Sequence, residues 1–135
     1  MASYLLDTNH LSPVVTVGHT LRHRILSGLD LGDEFFVPAP VLAEFLFGIQ
    51  VAPRSASNLQ EWRRIQDSFG YLAVSRIEAE EAAEMQLLLR RVGWQLGTID
   101  ALVAALALRN DLILLTTDGD FRRIKRLTQE NWIRG

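Results

Sequence analysis

Leu112-Ile113-Leu114-Leu115-Thr116-Thr117-Asp118-Gly119 is an unbroken aliphatic run that stops abruptly at a polar, turn-forming segment. A run of strand length without apolar/polar alternation suits a strand covered on both faces, as in a parallel sheet. Asn110-Asp111 bounds it on the other side. Upstream, Thr98-Ile99-Asp100 opens a helix in which Ile99, Leu102, Val103 and Leu106 recur at helical spacing and four alanines allow close packing. Before that, Ser75-Arg76-Ile77-Glu78 has the serine and glutamate spacing of a capping box, opening a long helix that runs to Val92 and Gly93.

The same alternation extends to the N-terminus. Tyr71 to Val74 reads as a strand, and Leu59, Trp62, Ile65, Gln66 and Phe69 mark a helix ending at Gly70. Pro40 suits the first turn of a helix over Val41 to Phe47 that Gly48 ends, after a strand over Glu34 to Val37. Tyr4 to Leu6 is a strand that stops at Asp7-Thr8-Asn9, and Leu127 to Ile133 adds a last short strand. Strands alternating with helices predict a three-layer α/β/α fold with a mostly parallel central sheet, and residues 1-135 read as a single domain.

Composition narrows the function. The chain has 135 residues, 48% hydrophobic and 22% charged, the balance of a globular protein and not of a disordered one. No apolar run approaches the roughly 20 residues a membrane span needs. The first residues lack the basic flank and apolar stretch of a signal peptide, so the sequence reads as cytoplasmic. Without cysteine there is no disulfide, thiol nucleophile or thiolate metal site. A net charge of −2 excludes a broad basic surface, yet all the cations but Lys125 are arginine, the residue that grips phosphate in bidentate fashion.

In open α/β sheets the functional crevice lies beyond the carboxyl ends of the strands. Asp7, Asp118 and Asp120 follow strands and Asp100 lies in the first turn of a helix, so all four fall at that crevice. Each also has a simpler role as a helix cap or turn residue. Glu44 differs, because it lies among Val41, Leu42, Ala43, Phe45, Leu46 and Phe47, where burying an acid is costly unless a cation pairs with it. Glu78, Glu80, Glu81 and Glu84 suit the start of a helix that ends in Arg90 and Arg91 and are set aside. His19 and His23 share a helical spacing but lack a third ligand. Converging carboxylates repel unless a divalent ion neutralises them, and an oxygen-only donor set selects Mg²⁺ or Mn²⁺. Such a site supports phosphodiester hydrolysis, and neither a phosphate-loop motif nor a dinucleotide-binding glycine fingerprint is present.

Four motifs in this order resemble the PIN-domain ribonucleases, in particular the VapC-type toxins of prokaryotic toxin-antitoxin pairs. They are Leu5-Leu6-Asp7-Thr8-Asn9, Glu44 on a helix after a proline-containing segment, Thr98-Ile99-Asp100-Ala101, and Leu114-Leu115-Thr116-Thr117-Asp118-Gly119-Asp120-Phe121. The resemblance implies a Mg²⁺- or Mn²⁺-dependent endoribonuclease that cuts RNA with a metal-activated water. It implies that Asp7, Glu44, Asp100 and Asp118 are the catalytic, metal-binding acids, with Asp120 as a further contributor. Thr8, Asn9 and Thr117 would orient ligands or water, and Arg122, Arg123 and Arg126 would hold RNA. It further implies a homodimer and a cognate antitoxin that blocks the acidic pocket, with Trp62, Phe69 and Trp94 belonging either to those contacts or to the core.

Two other readings share parts of this pattern. A carboxylate-Mg phosphoesterase of another family, such as a haloacid-dehalogenase-like phosphatase or a receiver, also places acids after strands. The first needs an Asp where Asn9 stands, and the second needs a lysine after its last strand, where Lys125 is badly placed. A non-catalytic PIN-like binding module would keep the fold but has no reason to hold mutually repelling carboxylates together.

Overall fold

The computed structural model describes residues 1–133. Its strands are β1 (Ser3–Leu6), β2 (Glu34–Pro38), β3 (Gly70–Leu72), β4 (Ile113–Leu115) and β5 (Gln129–Glu130). They form one sheet in the order β3-β2-β1-β4-β5, with every pairing parallel. The helices are α1 (Thr8–Leu11), α2 (Thr20–Asp30), α3 (Ala39–Val51), α4 (Ser55–Ile65), α5 (Arg76–Arg91) and α6 (Thr98–Arg109). The chain builds outward from β1 to β3 and then crosses back to β4 on the other side of β1. Right-handed crossovers therefore place α1 to α4 on one face and α5 and α6 on the other. The contacts agree: Phe45 of α3 meets Trp62 of α4 edge-on, Arg22 of α2 pairs with Glu61 of α4, and Arg109 of α6 pairs with Glu78 and Glu81 of α5.

The aliphatic run that decides the fold lies at the centre, with Leu114 and Leu115 fully buried beside Leu5 and Leu6 of β1. Helix α6 is the most buried: six of its twelve residues are inaccessible. Val103 and Leu106 are buried as expected, with Ala101, Ala104, Ala105 and Ala107 packed beside them, whereas Ile99 faces water. Small side chains let the α6 backbone approach the sheet closely. Trp62 and Phe69 are core residues, stacked with centroids 5.6 Å apart, and Trp94 is half-buried.

Several boundaries move for local reasons. The capping box forms as expected, with Glu78 accepting from the Ser75 N–H at 2.8 Å. Gly48 does not end α3; the helix runs on to Val51 and stops where Pro53 forces Ala52 into an extended conformation. Gly70 does not close a helix but opens β3, flat against the Phe36 ring. Helix α6 opens at Thr98 as expected, with Gly97 in the cap position. The final strand is shorter than Leu127 to Ile133. Residues 10 to 33, for which the sequence predicts no element, hold a short 3-10 turn over Ser12–Val15 and the helix α2, capped by the His19 ring. Among the described residues, no helix is long and apolar enough to cross a membrane.

Candidate metal centre and nuclease site

The topological switch point falls between β1 and β4, where a crevice opens beyond the strand ends. Leu6 pairs with Leu115, so the residues that follow, Asp7 and Thr116, come opposite one another. Asp7 is buried, and its carboxylate receives three donors. The Thr8 N–H donates to Oδ1 at 2.9 Å, and the Thr116 hydroxyl donates to Oδ2 at 2.7 Å. The Asn9 amide donates to the same Oδ2 at 3.4 Å.

Thr116 works in both directions, because its oxygen also accepts from the Asp118 N–H at 3.0 Å. Asp118 in turn caps the turn Gly119–Arg123 by accepting from the Asp120 N–H at 2.9 Å. The capping roles foreseen for Asp7 and Asp118 are therefore real, and they aim the acids into the crevice at the same time.

Asp100, in the first turn of α6, completes the group. One carboxylate oxygen each from Asp100, Asp118 and Asp120 lies within 4.8 Å of the other two. No hydrogen bond reaches the Asp100 carboxylate among the described residues. Its pKa is pushed up to about 6, first by burial and then by the charges of Asp118, Asp7, Asp120 and Glu44. An acid crowded by four others and lacking a donor is a poor structural element and a good cation ligand. The oxygen-only set fits a hard divalent ion: Asp100, Asp118 and Asp120 would hold it, while Asp7 stands outside that group but close enough for its charge to act on Asp100.

Glu44 is not the buried acid that its apolar helix suggested. It lies on the exposed side of α3, where it accepts from the Thr8 hydroxyl at 3.4 Å. The apolar residues around it divide between Val41 and Phe45 in the core and Phe47 and Val51 in solvent, so Glu44 meets no desolvation cost. It contributes charge at the rim of the crevice and stands outside the Asp100, Asp118 and Asp120 group.

The supporting residues divide similarly. Thr8 positions Glu44, and Asn9 positions Asp7. Thr117 is exposed and contributes its backbone N–H, which donates to Asn9 Oδ1 at 3.2 Å. Thr116 performs the orienting role expected of its neighbour. The signal lay in the strand alternation: Leu114 and Thr116 share one face, as do Leu5 and Asp7.

Behind Asn9 sits His10, fully buried and equally unmarked in the sequence. The Trp132 N–H donates to His10 Nε2 at 3.0 Å, so the ring proton resides on Nδ1 and is donated to Asn9 Oδ1 at 2.7 Å. That acceptance leaves the Asn9 amide nitrogen facing Asp7. Burial, then the charge of Arg24, lowers the His10 pKa to about 4 and keeps the ring neutral.

Arg122 and Arg123 stand beside the acids, their guanidinium carbons 6.0 and 4.9 Å from the centre of the Trp94 ring. The Trp94 indole N–H donates to the Asp120 carbonyl at 3.0 Å. Arg126 is exposed next to them on the outer side of α5 and α6.

Several solved structures with this fold are toxin-antitoxin complexes. A chain of the VapBC2 complex of Rickettsia felis, bound to promoter DNA, superposes with a TM-score of 0.82 at 23% identity, covering 96% of this chain and 98% of that one. A chain of the DNA-bound VapBC of Salmonella typhimurium gives 0.79 at 21% identity over 98% and 99%. A sarcin-ricin-loop-cleaving VapC toxin of Mycobacterium tuberculosis gives 0.63 at 18% identity over 90% and 94%. At these identities the likeness is one of fold. No curated protein matches significantly. The PIN domain model, however, matches residues 4–127, which takes in all four acidic motifs, and the chain therefore belongs to the PIN-domain family.

Proposed function

We infer that this PIN-domain protein is a Mg²⁺- or Mn²⁺-dependent endoribonuclease that serves as the toxin of a toxin-antitoxin pair. The observation that carries the reading is the convergence of Asp100, Asp118 and Asp120 with Asp7 at the β1/β4 switch point, with Asp100 crowded and undonated. The fold neighbours add support: VapBC complexes and a toxin described as cleaving the sarcin-ricin loop.

Asp7, Asp100, Asp118 and Glu44 are the catalytic acids in this reading, and Asp120 joins the ligand set. A divalent ion bound there supplies charge neutralisation at the phosphate and a more acidic water. The chain's own residues do the rest. Thr116 and Asn9 fix the Asp7 carboxylate through two donors, so its free lone pairs point into the crevice. Asp100 must lose its proton before it can ligate, which ties metal uptake to pH. Glu44, which accepts from the Thr8 hydroxyl at the rim, would take a proton from an attacking water. Arg122, Arg123 and Arg126 offset the acidic charge and draw in the RNA backbone.

Partner contacts have surfaces available. Phe47 and Val51 on α3, and Leu88 and Val92 at the C-terminal end of α5, are apolar and exposed on opposite faces of the sheet. Isolated exposed apolar residues are ordinary, but such groups on two helices suit a homodimer contact and an antitoxin contact.

Incubating total cellular RNA with the purified protein in Mg²⁺ or Mn²⁺, beside a chelated control and Asp7→Asn, tests the reading. Discrete fragments that vanish with chelator and with the variant are expected. Folded, antitoxin-free protein that leaves RNA intact in both metals would overturn it in favour of the binding-module alternative.

A further inference from the structure

The Trp94 ring is held in place from below and is surrounded by unpaired cations. Its N–H is committed to the Asp120 carbonyl at 3.0 Å, one residue's backbone away from the acidic group. Arg122 and Arg123 lie against its π face, and neither forms an ion pair among the described residues. The same indole lines a groove of about 610 Å³ at the end of α5, together with Gln86, Leu87, Arg90 and Leu96. Gln86 is occupied, its amide donating to the Leu96 carbonyl at 2.9 Å, which holds the 93–97 loop against α5. Arg90, like the other two arginines, has no carboxylate partner among the described residues.

Arg122 and Arg123 lie over the indole and Arg90 shares its groove, so three arginines without a carboxylate partner among the described residues stand beside the acidic group. An aromatic face paired with cations is how proteins hold single-stranded nucleic acid, with a base stacked on the ring and its phosphates on the arginines. We propose that Trp94 and the groove it lines receive an unpaired RNA base flanking the cleaved bond, with Arg90, Arg122 and Arg123 on the adjoining phosphates. This rests on the ribonuclease reading for the identity of the ligand. Trp94 is then a substrate-binding residue that sets register: a base stacked there brings a neighbouring phosphate to the acids.

Quenching of tryptophan fluorescence by a short oligouridylate in chelator, where no cleavage occurs, reads the site directly. Wild type should be quenched, Trp94→Phe should lose the signal while keeping affinity within a few-fold, and Trp94→Ala should bind about tenfold or more weakly. An abasic ribose-phosphate oligomer of equal length should bind weakly and leave the fluorescence unchanged. Equal quenching by the abasic oligomer, unchanged affinity in Trp94→Ala, or no binding of oligouridylate by wild type would each overturn the proposal. The two readings fail separately. RNA cleavage by wild type with unchanged Trp94→Ala affinity discards only the stacking site, whereas Trp94-dependent binding without cleavage in Mg²⁺ or Mn²⁺ discards only the nuclease.

Discussion

The Thr116 hydroxyl donates to Asp7 Oδ2 at 2.7 Å while accepting from the Asp118 N–H at 3.0 Å, so one buried oxygen sets the position of two acids from different strands. Thr116→Val keeps the shape and removes both bonds, leaving the buried Asp7 short of a donor. Activity on RNA should fall about 10- to 100-fold, as is usual when a residue orienting a metal ligand is lost. Thr116→Ser should retain most of it. Equal rates for the valine and serine variants would show that the hydroxyl is not needed.

Asp100 offers a prediction with a definite sign. Its folded pKa of about 6 lies above the ordinary value of 3.8, so its favourable contribution is present below that ordinary value and is lost as pH rises through about 6. At pH 7 without metal the crowded carboxylates therefore cost stability. Asp100→Asn should raise the melting temperature of chelated protein by a few degrees at pH 7 and by little at pH 4. Mg²⁺ should stabilise wild type at pH 7 much more than at pH 5, and the variant little at either. Thermal melts with and without chelator decide the matter, and destabilisation by Asp100→Asn at pH 7 would contradict it.

His10 titrates in the opposite sense. Its folded pKa of about 4 lies below the ordinary 6.5, so the unfolded chain takes up a proton that the buried ring refuses. Its contribution is complete above pH 6.5 and drains away as pH falls towards 4, by at most about 3 kcal/mol. Urea unfolding of wild type and His10→Gln across pH 7 to 4 isolates this part from that of Asp100. The variant should start less stable and lose less; parallel curves would rule the effect out.

Gly70 carries a packing prediction. A Cβ there would sit 2.5 Å from the Phe36 ring, which is itself wedged at the β2/β3 edge. Gly70→Ala should cost about 1–3 kcal/mol through forced displacement of that ring. Gly48, with nothing within 4 Å of its Cβ position, is the control: Gly48→Ala inside α3 should be neutral or stabilising.

What the sequence made legible follows from what is local. Aliphatic runs such as Leu112 to Leu115, the Ser75/Glu78 capping box and the acids after strands are encoded within a few residues, and all are found in the structure. Four things depend on how distant segments pack and are not legible locally. Helix α2 is tied down by Arg22, whose guanidinium donates to the Val14 carbonyl and to Glu61, an ion pair across 39 residues. The exposure of Glu44 depends on which side of α3 meets the sheet, and a helix apolar on both sides does not reveal that. Thr116 looked like an ordinary residue of a turn until β1 and β4 were aligned, and His10 is explained only by Trp132 at the other end of the chain.

The pairing of Asp7 with Thr116 spans 109 residues and has a consequence for the order of synthesis. Asp7 is synthesised long before β4, the strand that completes its surroundings, and Asp118 and Asp120 lie beyond that strand. A growing polypeptide thus holds the first part of the acidic site without the rest until β4 has been made. The site is completed in one late step, when β4 slots in beside β1, and on the ribonuclease reading a chain cut short before that strand should leave RNA intact however much of it is made.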